Sequence, residues 1–224
     1  MEKVLVVGAS GSTGYKIVNI LKSSQHFEPI AMVRSESQRL KFEEEDVKTI
    51  YGDLEKEVSH AIIDIDRVIF AAGSGGKNVQ AVDRDGAKKM ISASGKANVK
   101  KFVMLSSMGA DKPEQSDELQ DYLKAKHQAD EFLKDSELNF TIVRPGTLND
   151  NKGKGKIELA KSLGKRGEIS RDDVAETLVN ALYDKTAPKA TFEIIQGETA
   201  IGDAFENLEH SQTSHIKTSH IFNS

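Results

Sequence analysis

Short apolar runs recur along this chain, and most are followed by a longer stretch where apolar residues return every three or four positions. The runs fall at 4–7, 27–33, 47–51, 67–73, 101–105, 140–144 and 191–195. Most lack the polar alternation of a half-exposed strand, so they read as strands covered on both faces. The intervening periodic stretches predict helices at 15–21, 35–45, 55–62, 78–97, 115–136, 171–183 and 201–208. Ser170 and Asp173 form an S-x-x-D capping box at the start of the 171–183 helix. A short strand is expected at 168–169, and the basic, glycine-rich stretch 152–166 is expected to be a solvated, flexible loop. Strand–helix alternation of this kind predicts an α/β fold. It is a doubly wound, mainly parallel sheet of the Rossmann type, with helices on both faces and a small C-terminal substrate region. The expected division is a core at 1–146, a smaller region at 147–208 completing the same domain, and a polar tail at 209–224.

The stretch from Val4 to Gly14 organises the rest. Gly8, Gly11 and Gly14 stand at G-x-x-G-x-x-G spacing between the first strand and the first helix, a shifted form of the dinucleotide fingerprint. Gly8 permits the tight turn, Gly11 lets backbone amides approach a pyrophosphate, and Gly14 lets the helix lie close to the sheet. The helix N-terminus offers unpaired N–H groups to an anion, and Ser10, Ser12 and Thr13 add hydroxyl donors. Ligands of open parallel sheets lie beyond the C-terminal ends of the strands. Gly8, Arg34, Asp53, Ala72, Ser106 and Pro145 all fall at such ends.

An NAD site would carry an acidic residue at the end of the second strand, to accept from the ribose 2′-hydroxyl. This chain has Arg34 there, followed by Ser35. A guanidinium suits a 2′-phosphate, so NADP is the expected cofactor, with NAD as the alternative. Asp53 and Leu54 end the third strand; Asp53 is placed either to accept from the adenine amino group or to cap the next helix. The small residues Ala71, Ala72 and Gly73 let a dinucleotide pass close to the backbone.

Charge and composition narrow the partners. A net charge of −4 leaves no electrostatic footprint for nucleic acid or for an anionic membrane. No apolar run approaches the ~20 residues needed to span a bilayer. Cysteine is absent, which removes thiolate and disulfide chemistry and fits the expected cytoplasmic location. His210, His215 and His220 do not match a familiar metal spacing, so no metal site is expected. The expected partner is a small-molecule substrate, with the oligomeric state open.

Tyr122 and Lys126 stand one helical turn apart on one face. A phenol of pKa ~10 must fall by about three units to act as acid or base near neutrality, at a cost of ~4 kcal/mol. An ammonium ~4 Å away at an effective dielectric near 20 supplies ~4 kcal/mol. Ser107, in the preceding loop, is placed to hydrogen-bond a substrate oxygen.

Taken together, Gly8 to Gly14, Arg34, Ser106 and Ser107, Tyr122 with Lys126, the run Thr141-Ile142-Val143-Arg144-Pro145-Gly146 and the run Ile169 to Ala175 resemble the short-chain dehydrogenase/reductase superfamily. The likeness is to its extended and atypical branch of NAD(P)-binding, epimerase/dehydratase-like proteins, over about residues 1–208. The resemblance implies that Tyr122 is the acid/base and that Lys126 binds the nicotinamide ribose and lowers the tyrosine's pKa. It also implies that Pro145, Gly146, Thr147 and Leu148 line the nicotinamide pocket. Three activities are compatible with such a chain. The first is an NADP-dependent oxidoreductase or epimerase-like enzyme acting on a small carbonyl, hydroxyl or sugar substrate. The others are a non-catalytic NADPH-sensing or protein-interaction module, and a flavin or tetrapyrrole reductase.

Overall fold

The computed structural model describes residues 1–208; the tail expected at 209–224, with its histidines, lies outside the described residues. The first strand, β1 (Glu2–Val7), lies third from one edge of a nine-stranded sheet. To one side it pairs in parallel with β2 (Phe27–Val33), and β2 pairs with β3 (Lys48–Tyr51). On the other side it pairs in parallel with β4 (Arg67–Phe70). The parallel series continues through β5 (Lys101–Leu105), β6 (Phe140–Pro145) and β10 (Ala190–Gln196). The chain therefore reverses its order of travel between β1 and β4. That is the switch point at which open parallel sheets leave a crevice.

Alternation along β1 explains the two layers of packing. Val4 and Val6 face a core built with Ile17, Val18 and Leu21 of α1 (Ser12–Lys22) and Val174 and Leu178 of α5 (Arg171–Asn180). Leu5 and Val7 face the opposite core, with Met90 and Ile91 of α3 (Ala87–Lys96) and Ala129 and Leu133 of α4 (Gln120–Lys134). All four β1 residues are fully or almost fully buried. The doubly wound sheet with helices on both faces is therefore the fold of the described residues.

Four expectations change at the level of elements. The helix expected at 55–62 is reduced to a 3-10 turn, Ser59–Ile62. Its first half is claimed by local side-chain bonds, with Glu55 N donating to Asp53 Oδ1 and Ser59 N donating to Glu57 Oε1. The helix expected at 78–97 is a π-helix, Val79–Gly86, running into α3. The helix expected at 115–136 starts later, at Gln120, after a separate 3-10 turn at Pro113–Gln115. Finally, the loop expected at 152–166 contains an edge strand, β8 (Lys156–Ala160), antiparallel to β10, with Ile157 fully buried. A further short strand, β11 (Thr199–Ala200), pairs with β8. Half of the capping box at Ser170 is present: its hydroxyl accepts from Asp173 N at 3.0 Å, while the Asp173 carboxylate accepts from the Ser170 hydroxyl and from Lys154 N and Gly155 N. The helix at 201–208 is present as expected. Among the described residues no helix is long and apolar enough to cross a membrane.

One buried cation lies at the end of the sheet away from the crevice. Lys101 is fully buried, and its Nζ donates to Thr186 O at 3.0 Å and to Asn139 Oδ1 at 3.3 Å. Burial pulls its pKa down to about 8, against the opposing attraction of Asp184. The unfolded chain holds that proton to a higher pH than the folded chain does. Stability therefore rises with pH through the interval above about 8. Relative to a Lys101→Met variant, the wild type is expected to gain about 2 kcal/mol between about pH 8 and about pH 10, read from denaturant melts. A stability difference that stays flat across that range contradicts the buried-cation account.

Candidate functional site

A cleft of about 390 Å3 opens where β1, β2 and β4 end. Its floor is the turn that leaves β1. Gly8 has a φ of +87°, and a Cβ placed on it would lie 2.6 Å from the Ala72 backbone. Only glycine lets the two strand exits approach this closely. Gly11 N donates to Gly8 O at 3.0 Å and closes the turn. Gly11 is the N-cap residue of α1, supplies no side-chain cap, and no acidic residue stands in the first helical turn. Among the described residues the positive end of the helix thus has neither a side-chain cap nor a first-turn acid to offset it. Gly14 packs so tightly that a Cβ would meet Gly8 O at 2.0 Å.

Of the residues singled out in the sequence, Gly8, Ser10, Gly11, Arg34, Asp53, Leu54, Ala71, Ala72 and Gly73 line this cleft. Arg34 is exposed, and its guanidinium has no partner among the described residues. Ser12, Thr13 and Gly14 form the first turn of α1 behind the cleft lining. Ser35 caps α2 (Glu36–Glu43), accepting from Gln38 N, and does not line the cleft. Asp53 is engaged in the turn that follows it, accepting from Glu55 N.

Sequence reasoning missed part of the wall. Gln38 Nε2 donates to Ser10 Oγ at 3.0 Å, and Gln38 Oε1 accepts from Arg34 N at 2.8 Å. Its signal was the four-residue spacing from Arg34, one turn into the helix. Glu55, Ser74, Lys77 and Asn78 also line the cleft. Asp83 went unnoticed altogether, and it joins two parts of the site. Its carboxylate is buried in the π-helix; Oδ2 accepts from Ser74 N at 3.0 Å and from Ser74 Oγ at 2.7 Å. Its Oδ1 stands 3.3 Å from Lys126 Nζ, an ion contact without hydrogen-bond alignment.

Lys126 is buried, and its Nζ also donates to Leu105 O at 3.3 Å. It lies 5.6 Å from the centroid of the half-buried Tyr122 ring. Burial works against this ammonium, but the nearby Tyr122, Asp83 and Asp130 outweigh it and raise its pKa. Lys126 therefore stays charged at neutral pH. Ser107 is half-buried, with its hydroxyl donating to Met108 O at 3.3 Å.

The remaining expected residues stand elsewhere. The Ser106 hydroxyl donates to Asp130 Oδ2 at 2.9 Å, and Arg144 Nε donates to the same oxygen at 3.0 Å. Ser106 is thus turned into a buried ionic cluster behind β5 and does not line the cleft. Burial raises the Asp130 pKa, opposed by Arg144 and Ser106. Pro145 ends β6, and Gly146 follows it under a close contact with Gly167 O. Thr147 and Leu148 sit in the short strand β7 (Thr147–Asn149), paired with β9 (Glu168–Ser170). These four lie outside the cleft described above. Among the described residues no group of three or more potential metal ligands occurs.

Comparison with known proteins agrees with this geometry. A model of the NAD(P)H-binding family matches residues 8–185. The "Uncharacterized sugar epimerase YhfK" of Bacillus subtilis is 38% identical over 214 residues, covering 92% of this chain and 100% of that protein. A solved structure designated an NAD-dependent epimerase/dehydratase from Bacillus halodurans superposes with a TM-score of 0.89. It is 36% identical and covers 93% of this chain and 100% of its own. The oxidoreductase ylbE of Lactococcus lactis superposes with a TM-score of 0.85, at 29% identity over 93% of this chain and 97% of that one.

The glycine contacts separate two kinds of damage. Gly14→Ala drives a Cβ into backbone that cannot move aside and is expected to cost about 2 kcal/mol or more. At Gly11 the nearest atom to a new Cβ is Gly8 O at 3.3 Å, and the backbone is extended with φ −77°. Gly11→Ala is expected to change stability by less than about 1 kcal/mol. Equal losses for the two variants in thermal melts contradict the packing described.

Proposed function

The chain belongs to the NAD(P)H-binding family, as an NAD(P)-binding protein of the extended or atypical short-chain dehydrogenase/reductase type, and from that premise we propose an NADP-dependent enzyme. Its activity is oxidoreduction, or epimerisation by the same hydride chemistry, on a small carbonyl, hydroxyl or sugar substrate. The names of its relatives, a sugar epimerase and an oxidoreductase, agree with that range. The observation that carries the reading is the Asp83 bridge. One carboxylate holds both Lys126, the partner of Tyr122, and Ser74, a wall of the dinucleotide cleft. The candidate acid/base pair is thereby tied to the site where the cofactor would rest.

The residues present fit such a cofactor. The uncapped start of α1 and the bare turn at Gly8 and Gly11 suit a diphosphate. Arg34 is the free cation at the end of β2, where a 2′-phosphate would lie. The bound nicotinamide would supply or accept a hydride. Tyr122 then gives its phenolic proton to the oxygen of a carbonyl substrate, or takes one from a hydroxyl in the reverse direction. Lys126, held charged by its surroundings, stabilises the phenolate left behind. Ser107 orients the substrate oxygen.

Two substitutions test this with separate readouts. Tyr122→Phe is expected to keep NADPH affinity within about twofold and to lower turnover about a hundredfold or more, measured across a carbonyl panel by nicotinamide absorbance. Unchanged turnover removes Tyr122 from the mechanism, and tight binding by the wild type with no turnover on any substrate favours a nucleotide sensor. Arg34→Ala is expected to weaken NADPH about tenfold or more while leaving NADH nearly unaffected. Equal effects on the two cofactors contradict the 2′-phosphate role.

A further inference from the structure

The segment after β4 reads Gly73-Ser74-Gly75-Gly76-Lys77-Asn78 and forms one wall of the cleft. Its two ends are held differently. At Ser74 the anchor is the buried Asp83 carboxylate, which accepts both the backbone N–H and the hydroxyl. A Cβ on Gly73 would lie 3.3 Å from Asp83 Oδ1, so the anchor is close-packed as well as bonded. At the far end the Asn78 carbonyl accepts from Val82 N at 2.9 Å at the start of the π-helix, while its side chain is held only by an exposed bond, Nδ2 donating across to Glu55 Oε1 at 3.0 Å. Buried bonds resist exchange with water, whereas an exposed neutral–charged contact of this kind is readily replaced.

Between those ends the backbone is unencumbered. Gly75 and Gly76 have φ of +61° and +84°, and a Cβ on either would meet no heavy atom within 4 Å. Lys77 follows them, exposed, with its N–H donating to Ser74 O at 3.3 Å and its ammonium without a partner among the described residues. A cation that lines such a cleft and neutralises nothing among the described residues is set to neutralise a ligand. Two neighbouring glycines give it the freedom to reach inward.

We propose that residues 74–78 form a strap, hinged at the Asp83 anchor, that folds over the bound dinucleotide and brings Lys77 onto one of its phosphates. The proposal rests on the dinucleotide reading above and adds to it a cofactor-binding residue and a closing movement. Closure exchanges the Asn78–Glu55 bond for contacts with the ligand and moves the Lys77 stem over the cleft mouth. Arg34 and Lys77 then supply the two cations that approach the ligand from opposite walls.

The test is the affinity of the full chain for NADPH and for NADH, followed by nicotinamide fluorescence at several salt concentrations. Lys77→Ala is expected to weaken binding about tenfold at low salt and to flatten its salt dependence, with Lys77→Arg retaining most of the affinity. Loss for both cofactors assigns Lys77 to the diphosphate, and loss for NADPH alone assigns it to the 2′-phosphate; either supports the contact. Affinity within twofold of wild type at every salt overturns it. Closure is read separately on the wild type, from the tryptic peptide that ends at Lys77. Saturating NADPH is expected to slow that cut about fivefold or more, and an unchanged rate overturns the strap. If the wild type binds neither cofactor, the dinucleotide reading itself falls.

Discussion

The approach of bare backbone to bare backbone where β1 ends is the constraint from which the site follows. Gly8 lies against the Ala72 backbone, and Gly14 lies against Gly8 O. Any side chain at either position would push α1 off the sheet or push β4 away from β1. Because both contacts are tight, the start of α1 is aimed at the gap between β1 and β4. No capping side chain or first-turn acid satisfies it. An uncompensated helix end facing a crevice at a topological switch point is an electrostatic offer to an anion. The cleft walls, Arg34 on one side and the 74–78 segment on the other, are arranged around that offer.

Behind the cleft the chain buries charge, which has to be matched. Along α4, Tyr122, Lys126 and Asp130 follow one another at successive turns on one face. They meet Asp83 from the π-helix, Ser106 just after β5 and Arg144 from β6. Each cation has an anion at contact distance, and burial of either alone would be costly. This pairing keeps Lys126 charged inside the protein. It also fixes α4 against the strand ends, so that the geometry of Tyr122 depends on residues far from it in sequence. The π-helix is part of the same device: its wider turn carries Asp83 between Ser74 and Lys126.

The legible parts of the sequence were those where a contact demands one residue type. The glycines at 8 and 14 could be read because backbone proximity admits little else, and the buried strands because their apolar runs leave no polar face. The place of Arg34 on the cleft wall could be read because it directly follows a parallel strand. The orientation of Ser106 could not be read, since a serine at a strand end can turn toward solvent or toward a buried carboxylate, and Asp130 decides which. Asp83 was illegible because its burial is only tolerable opposite Lys126, a partner contributed by another helix. The strand β8 was hidden by its flanking glycines and lysines. The pairing of Ile157 to Ala160 with β10, across a long connection, and of Lys156 with β11 makes that stretch extended.

Amide NMR of labelled protein reads the backbone N–H groups at the start of α1 directly. Added NADPH is expected to move the resonances of residues 10–14 most strongly and to slow their hydrogen exchange, with Gly11 and Ser12 foremost. Saturation of the protein with cofactor while those amides keep their shifts and exchange rates would contradict the account.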